Sequence, residues 1–461
     1  MQENKLGVMP IKKLIWNMSL PIMASMLVQA LYNIVDSMFV SWLSQDALTA
    51  VSLAFSAQQL MIGLATGTAV GVNALMGRAL GARDQKRADT VAINGVFLAL
   101  VGAIFIAILG RCFSNALFTF QTSNQEIIRY GNEYLGVITG LGFALFGQVM
   151  FERLLQGTGR SIYSMYTQGL GAIINLILDP VFIFALKMGV RGAAIATVIG
   201  QFTAMCLAFY FNCTKNTDIH LQFRGFRPDW KVIGGIYSIG LPSAIMMVVA
   251  SFMTFAINKT LIVYHAAHET AATAFGVYFK LNSFIFMPVF GMNNGIVPIV
   301  AYNYGARNRS RMMETIKRSV AYACTMMIIG MAIFLAAPRL LLLIFKAGDE
   351  LMAVGIPCLR IISLSFPIAG CCIALITSFQ ALGRSMNSLL ISCVRQLIVL
   401  VPSAFLLARY GAAVGNSDLV WWSFPIAEVV ALVITLLLFR RLYRTLISKL
   451  PETVPVSGTE I

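Results

Sequence analysis

The stretch LPIMASMLVQALYNIVDSMFV, residues 20–40, is an apolar run long enough to cross a bilayer, yet it contains an aspartate, Asp36. An aspartate in the middle of a spanning helix costs about 2.5 to 3.5 kcal/mol on insertion scales, so it normally faces a partner, a cavity or an ion path. Gln29, Tyr32 and Asn33 lie seven, four and three residues before Asp36, which places all four on one helical face. The stretch therefore predicts a spanning helix with a polar stripe turned toward the protein interior.

The composition of the whole chain excludes a soluble globular protein. Its 461 residues are 58% hydrophobic and 11% charged, and the mean hydropathy is +0.79. We therefore predict an all-α polytopic membrane protein. The first apolar run is too long for the apolar region of a signal peptide, so no cleavable targeting segment is expected.

Twelve apolar segments are long enough to span the membrane. They lie near residues 14–42, 47–77, 91–110, 131–151, 164–186, 192–211, 234–264, 271–301, 319–337, 352–379, 388–408 and 419–439. A polar stretch separates the first six from the second six. The predicted organisation is an amino-terminal bundle at 1–211, a cytoplasmic linker at 212–233, a carboxy-terminal bundle at 234–445 and a cytoplasmic tail at 446–461.

The loops of this topology divide the cations unequally. One side of the membrane collects 23 Lys and Arg residues and the other side eight. Because positively charged loops stay in the cytoplasm, we expect a multi-pass protein of the cytoplasmic (inner) membrane with both termini in the cytoplasm. The formal net charge of +15 then reflects topology, and no nucleic-acid partner is predicted.

The two halves of the chain repeat each other at an offset of 224 residues. The shift places Gly67, Gly71, Gly81 and Arg83 on Gly291, Gly295, Gly305 and Arg307, and it places QGTGRS at 156–161 on QALGRS at 380–385. Six helices per half is an even number, so the two repeats are parallel, and such halves usually enclose a substrate site. The Gly-xxx-Gly pairs predict close helix approach, and the GAR tripeptides predict turns at the cytoplasmic surface.

A second carboxylate lies within a predicted span of the first half. Asp179 belongs to INLILDP, where Asn175 is one helical turn earlier and Pro180 follows directly. Thr197 in the next span can add a hydroxyl oxygen. These oxygen ligands suit a small cation and equally suit a proton relay, whereas the structural alternative is that Asp179 hydrogen-bonds a neighbouring helix.

The second half carries different charges in or near its spans: Lys259, Lys280, Arg395 and Glu428. Asp36 has no acidic counterpart there, because Ile257 or Asn258 falls at its place. Glu428 either forms a structural ion pair with Arg395 or Lys280, or takes part in coupling. We therefore expect the two halves to differ in function.

The motifs NIVDSMFV, ALTAVSLA, GRALGARD, QGTGRS, NLILDP and GAAIATVIGQ together resemble the multidrug and toxic compound extrusion (MATE) family, over essentially the whole chain. Within the family, the chain resembles the DNA-damage-inducible F-like branch. It implies a V-shaped pair of six-helix bundles that exports cationic or amphipathic compounds in exchange for H⁺ or Na⁺. It further implies no enzymatic activity, no cofactor besides the coupling ion and no obligate protein partner.

Within this resemblance, Asp36, Asn175, Asp179 and Thr197 match the amino-terminal cation site of that branch. Gln29 and Tyr32 match cavity positions, and we predict that Asn33 and Gln148 line the substrate cavity with them. No metal is expected beyond a possible Na⁺ at the coupling site. The chain lacks acids in the middle of the seventh and tenth helices, which argues against a carboxy-terminal Na⁺ site.

Two other functional classes remain open. A lipid-linked oligosaccharide flippase of the same superfamily would need a cationic cavity for a pyrophosphate, to which Lys280 and Arg395 could contribute. An intramembrane enzyme would need a nucleophile and base or a metal cluster within the spans. The three histidines, His220, His265 and His268, all fall in predicted loops, so an enzyme is not predicted.

Overall fold

The computed structural model describes residues 4–345 and 347–452, so Lys346 and the end of the predicted tail, 453–461, lie outside the described residues. Within these ranges the chain is helical and contains no strand. In chain order the helices are α1 (Lys5–Val8), α2 (Ile11–Ser41), α3 (Gln45–Gly81), α4 (Gln85–Gln121), α5 (Gln125–Gly140), α6 (Phe143–Gly157), α7 (Ser161–Pro180), α8 (Gly189–Thr214), α9 (Trp230–Tyr264), α10 (His268–Gly305), α11 (Arg309–Ala336), α12 (Pro338–Leu343), α13 (Asp349–Ser363), α14 (Phe366–Ala381), α15 (Ser385–Cys393), α16 (Val401–Val414) and α17 (Ser423–Thr445). Two π-helical segments, Val181–Ala185 and Val394–Leu400, extend α7 and join α15 to α16, and 3₁₀ turns at Ser417–Trp422 and Ile447–Lys449 flank α17.

The described helices form twelve candidate membrane spans when each bent pair counts as one. Ten helices are each long and apolar enough to cross a membrane alone. The pairs α5–α6 and α13–α14 are long and apolar enough when each pair is taken as one span, despite bends of 46° and 49°. The predicted all-α polytopic class and its twelve spans are therefore confirmed. The bends, which the sequence did not predict, lie at nearly equivalent places in the repeat: Gly140 and Gly142 flank the first, and Pro367 follows the second. Glycine and proline both weaken a helix there.

Each half of the chain builds its own apolar core. The first core includes the buried aromatic side chains Phe118 and Phe146, and the second includes Phe275, Phe334 and Phe366. The halves then meet through four long helices, with α3 packed on α9 and α2 packed on α10. The molecule is therefore a pair of bundles with a separate interface between them.

Glycines set the distance between the bundles. A Cβ at Gly67 would lie 2.6 Å from the carbonyl oxygen of Gly240, and one at Gly291 would lie 2.7 Å from the Cα of Met23. Real Cβ atoms do not approach backbone this closely, so the helices can pack at this distance because these residues have no side chain. The predicted close approach is thus confirmed, and the structure adds that the partner is a helix of the opposite half.

The close glycine contacts between the bundles lie on the side of the molecule that carries the termini. In α3 they run from Gly63 to Gly81, and in α10 from Gly291 to Gly305, which are the parts of both helices nearer to that side. Toward the other side the helices expose large apolar residues such as Phe55 and Phe255. The pair of bundles therefore forms a V that opens away from the termini.

The GAR tripeptides form the predicted turns at the ends of α3 and α10. Arg83 and Arg307 adopt left-handed φ values of 58° and 54°, after which Asp84 and Asn308 cap the next helices. Gly81 packs against the backbone of Tyr302, so the turn is also part of the interface.

The segment between α8 and α9 is fixed to the first bundle. Arg160 Nε donates to the Lys215 carbonyl at 2.6 Å, and the Arg160 guanidinium pairs with Asp218. The His220 amide donates to Asp89 Oδ1 at 2.8 Å. These contacts make the connection an ordered part of the first half.

Gly71→Ala should destabilise the protein by about 1 to 3 kcal/mol, the usual cost of overpacking, because the added Cβ would overlap the backbone carbonyl of Ile236. Gly276→Ala is the matched control, since its Cβ would meet nothing within 4 Å. Thermal unfolding in detergent checks this, with the midpoint for Gly71→Ala expected below wild type and that for Gly276→Ala unchanged. Equal midpoints for the two variants would contradict the interface described above.

Candidate functional site

The carboxyl groups of Asp36 and Asp179 meet where α2 packs against α7. They lie within hydrogen-bonding reach of each other. Asp36 Oδ1 and Asp179 Oδ2 are buried and receive no hydrogen bond from any described residue. Two carboxylates this close repel unless a proton or a cation lies between them.

Asn175 connects this carboxyl pair to the next helix. Its Nδ2 donates to Asp179 Oδ1 and to Thr197 Oγ1, each at 3.3 Å, and the Thr197 hydroxyl donates to the Ala193 carbonyl at 3.0 Å. The structure thus brings together all four residues of the predicted coupling site, Asp36, Asn175, Asp179 and Thr197, from α2, α7 and α8.

Asp179 lies at the point where the α-helical geometry changes. It is fully buried and precedes Pro180, after which the chain continues as the π-helix Val181–Ala185. Proline has no N–H for the carbonyl one turn earlier, and π-helical turns are frequent at functional sites because they reposition side chains within a helix. The local sequence therefore accounts for a distorted helix at the second carboxylate.

The predicted cavity residues lie beside this pair. Tyr32 lies beside Gln29 and neighbours both carboxylates, whereas Gln29 and Asn33 have exposed side chains. Gln148 Nε2 donates to Glu152 Oε1 at 3.1 Å. Gln148 therefore belongs to a network centred on Glu152, which itself neighbours Tyr32.

Glu152 is a third buried carboxylate, and the sequence prediction missed it. Its side chain is 3% exposed and accepts hydrogen bonds from Thr167 Oγ1 at 2.9 Å and from Gln168 Nε2 at 2.6 Å, besides the one from Gln148. The predicted fourth span ended at residue 151, which left Glu152 in a cytoplasmic loop. In the structure α6 continues to Gly157. The spacing of Gln148 and Glu152, one helical turn apart, was the signal that could have found it.

In the second half, Arg395 Nη1 lies 3.3 Å from Glu428 Oε1, and the two side chains are 20% and 15% exposed. The ion pair was one of the two predicted alternatives for Glu428. Of the two residues that could fall at the place of Asp36, Ile257 is buried in the apolar core and Asn258 is half-buried, and neither is acidic. Lys259 and Lys280 are exposed. The second half therefore has no carboxyl pair like that of the first half among the described residues.

The described residues contain no group of three His, Cys, Asp or Glu side chains that could hold a metal ion. The arrangement in the first half is instead two facing carboxyls with amide and hydroxyl neighbours, next to a tyrosine and a hydrogen-bonded glutamate. Such a set can bind and release a proton or a small monovalent cation inside a membrane protein.

Comparison with known proteins assigns the family. The MatE family model matches residues 21–181 and 242–406, one match in each half of the chain. The chain belongs to the MATE family. The resemblance read from the sequence motifs is confirmed at this level, and the paired matches agree with the internal repeat.

The similarity of this MATE protein to its relatives extends over most of the length of both chains. It is 25% identical over 420 residues to the multidrug export protein MepA of Staphylococcus haemolyticus, and 24% identical over 421 residues to MepA of Staphylococcus aureus, with 91% of each chain covered in both cases. Among solved structures, a MATE protein in complex with MaL6 has a TM-score of 0.91 and 26% identity, covering 97% of this chain and 100% of that one. A multidrug resistance MATE transporter in an outward-facing conformation has a TM-score of 0.90 and 25% identity, with 97% and 99% covered.

Replacing Glu428 with Gln should reveal whether the ion pair is structural. The change would leave Arg395 buried without a counter-charge, and breaking a buried pair from one side usually costs about 3 kcal/mol or more. We expect a lowered unfolding midpoint for Glu428→Gln, with partial recovery in the double variant that also carries Arg395→Met. An unchanged midpoint together with lost transport would instead assign Glu428 to coupling.

Proposed function

We propose that this protein exports cationic or amphipathic organic compounds in exchange for H⁺ or Na⁺. The proposal rests on the facing carboxyl groups of Asp36 and Asp179. They place two acids, each with a buried acceptor oxygen, next to each other inside the first bundle. The multidrug export relatives and the multidrug resistance transporter of similar structure support the substrate class.

The proposed exchange depends on charge. A proton or Na⁺ at the carboxyl pair removes the repulsion between the two groups and stabilises the packing of α2 on α7. When the ion leaves, the pair is again negative, and this favours binding of a cationic compound in the neighbouring cavity. The coupling ion and the cationic compound are both attracted by the same negative charge. Binding of one therefore promotes release of the other.

The proposed topology follows from the cation asymmetry of the loops. With both termini in the cytoplasm of the cell, the V described above opens to the outside. We propose that the bundles 1–211 and 234–445 move as two bodies, with the tail at 446–461 on the second. The linker 212–233 would move with the first bundle, because Arg160 and Asp89 hold it there.

The flippase alternative is not favoured. It relied on Arg395 and Lys280 as cations for a pyrophosphate, but the Arg395 guanidinium is already paired with Glu428. The relatives named above are multidrug exporters. Lys280 alone is a weak basis for recognising a doubly charged anion.

Asp36→Asn should abolish ion-driven efflux, because the amide keeps the shape of the side chain and removes its charge. Ethidium efflux from proteoliposomes, driven in separate experiments by a pH gradient and by a Na⁺ gradient, measures this and identifies the coupling ion. Asp179→Asn should be equally severe. Glu133→Gln, which changes an exposed carboxylate of the same bundle, is the control and should retain wild-type efflux.

Gradient-driven efflux at the wild-type rate by Asp36→Asn would overturn the assignment of the coupling site. Correct folding of each variant is checked by its gel-filtration profile and its unfolding midpoint. If Glu428→Gln loses gradient-driven efflux while Asp36→Asn retains it, the coupling site lies in the second half.

Glu152→Gln should weaken binding of cations while leaving coupling in place, since Glu152 adds negative charge near Tyr32 without contacting Asp36 or Asp179 by a hydrogen bond. We expect the KM for ethidium to rise about tenfold, which corresponds to roughly 1.4 kcal/mol. The KM for an uncharged amphipathic substrate should change little. An equal rise for both substrates would show that Glu152 acts on cavity shape and not through its charge.

A further inference from the structure

The residues before the first membrane helix contact both halves of the molecule. We call this segment, residues 4–9, the amino-terminal strap. Asn4 Nδ2 donates to the Thr158 carbonyl at 3.1 Å and to Asp218 Oδ1 at 2.9 Å. Thr158 ends α6 and Asp218 lies in the segment fixed to the first bundle, so this end of the strap is attached to the first half.

The other end of the strap is attached to the second half. Arg311 Nη2 donates to the Met9 carbonyl at 2.7 Å and to the Leu6 carbonyl at 3.3 Å. Asn303 Nδ2 also donates to the Leu6 carbonyl at 3.3 Å, and Arg311 Nε donates to Asn303 Oδ1 at 3.2 Å. The bonds to Leu6 and Met9 end on backbone carbonyls. No substitution within the strap can remove these acceptors.

Apolar packing adds to these bonds. The Leu6 side chain is fully buried and belongs to a small cluster with residues of α2 and with Ile299 of α10. Gly7 lies against the ring of Tyr302, where a Cβ would be 3.0 Å from the nearest ring carbon. The strap therefore covers the junction between the bundles on the side where they touch.

We propose that the strap is a latch that stabilises the conformation closed on the terminal side and that it opens at Arg311. This inference rests on the proposed function, because alternating access requires the bundles to separate on that side. The strap continues into α2 of the first bundle and is held to that bundle by Asn4 and by the packing of Leu6 on α2. The second half holds it through the bonds from Arg311 and Asn303 to strap carbonyls and through Ile299. The Arg311 and Asn303 bonds therefore join the two bundles, and when they break the strap stays on the first half.

The latch predicts how often the closed side opens without substrate. The net contribution of a lost hydrogen bond corresponds to a shift of about fivefold in an equilibrium between two conformations. Arg311→Gln, which removes the guanidinium donor to the Leu6 and Met9 carbonyls, should therefore raise the population separated on the terminal side about fivefold. Asn4→Ala should leave that population unchanged, because the Asn4 bonds to Thr158 and Asp218 lie within the first half.

The test uses spin labels at Lys86→Cys in the first half and Lys317→Cys in the second half, both exposed positions on this side, in a protein without its native cysteines. Double electron–electron resonance in nanodiscs gives the distance distribution for each variant. Arg311→Gln, which breaks the attachment to the second half, should increase the long-distance population, and Asn4→Ala should not. Lys12→Ala is the control, because it removes an exposed cation beside the strap.

A distribution for Arg311→Gln that matches those of wild type and Lys12→Ala would overturn the latch, as would an equal shift in Asn4→Ala. The measurement needs no transport, so its failure is distinct from that of the proposed function. If Arg311→Gln shifts the distances while wild type exports no ethidium under any gradient, the latch stands and the proposed exchange fails.

Discussion

A carboxylate buried in a membrane protein must be satisfied within the protein, and this constraint shapes the first bundle. Asp36 on α2 and Asp179 on α7 each retain a buried oxygen with no hydrogen-bond donor from the described residues, and they face each other. When both are ionised, their mutual repulsion opposes the packing of α2 on α7, and a proton or cation between them relieves it. In the proposed exchange, binding of the ion stabilises this packing and its release allows the bundle to rearrange.

The glycine interface sets the second constraint. Gly67 and Gly291 bring helices of opposite halves to backbone contact on the terminal side, where there is no room for side chains to adjust. Tightly packed contacts of this kind have few intermediate positions, so the bundles are either in contact or apart on that side. The strap reinforces the first arrangement by bonding to both bundles, and it does so outside the carboxyl site.

Much of this architecture could be predicted from the sequence, because hydropathy reports span length and the 224-residue offset reports the repeat. Asn175, Asp179 and Pro180 were found because they interrupt an apolar run. Glu152 was missed for the opposite reason, since it lies where the apolar run ends and Arg153 follows, which is typical of a loop. The bond from Arg311 to Met9 joins residues about 300 positions apart, and no local pattern predicts such a contact.

Because the two halves repeat one scaffold, the charged residues that differ between them indicate how their roles differ. Both halves share the bent span, the glycine contacts and the GAR turn, so the scaffold needed for movement is present twice. The charges are not repeated, because Asp36 has no acidic counterpart in the second half and the largely buried Glu428 is paired with Arg395. Binding of an ion can change the net charge of the first half's carboxyl pair, whereas the pair in the second half is already balanced. In the proposed exchange, the first bundle therefore responds to the ion, and the second provides the stable surface against which it moves.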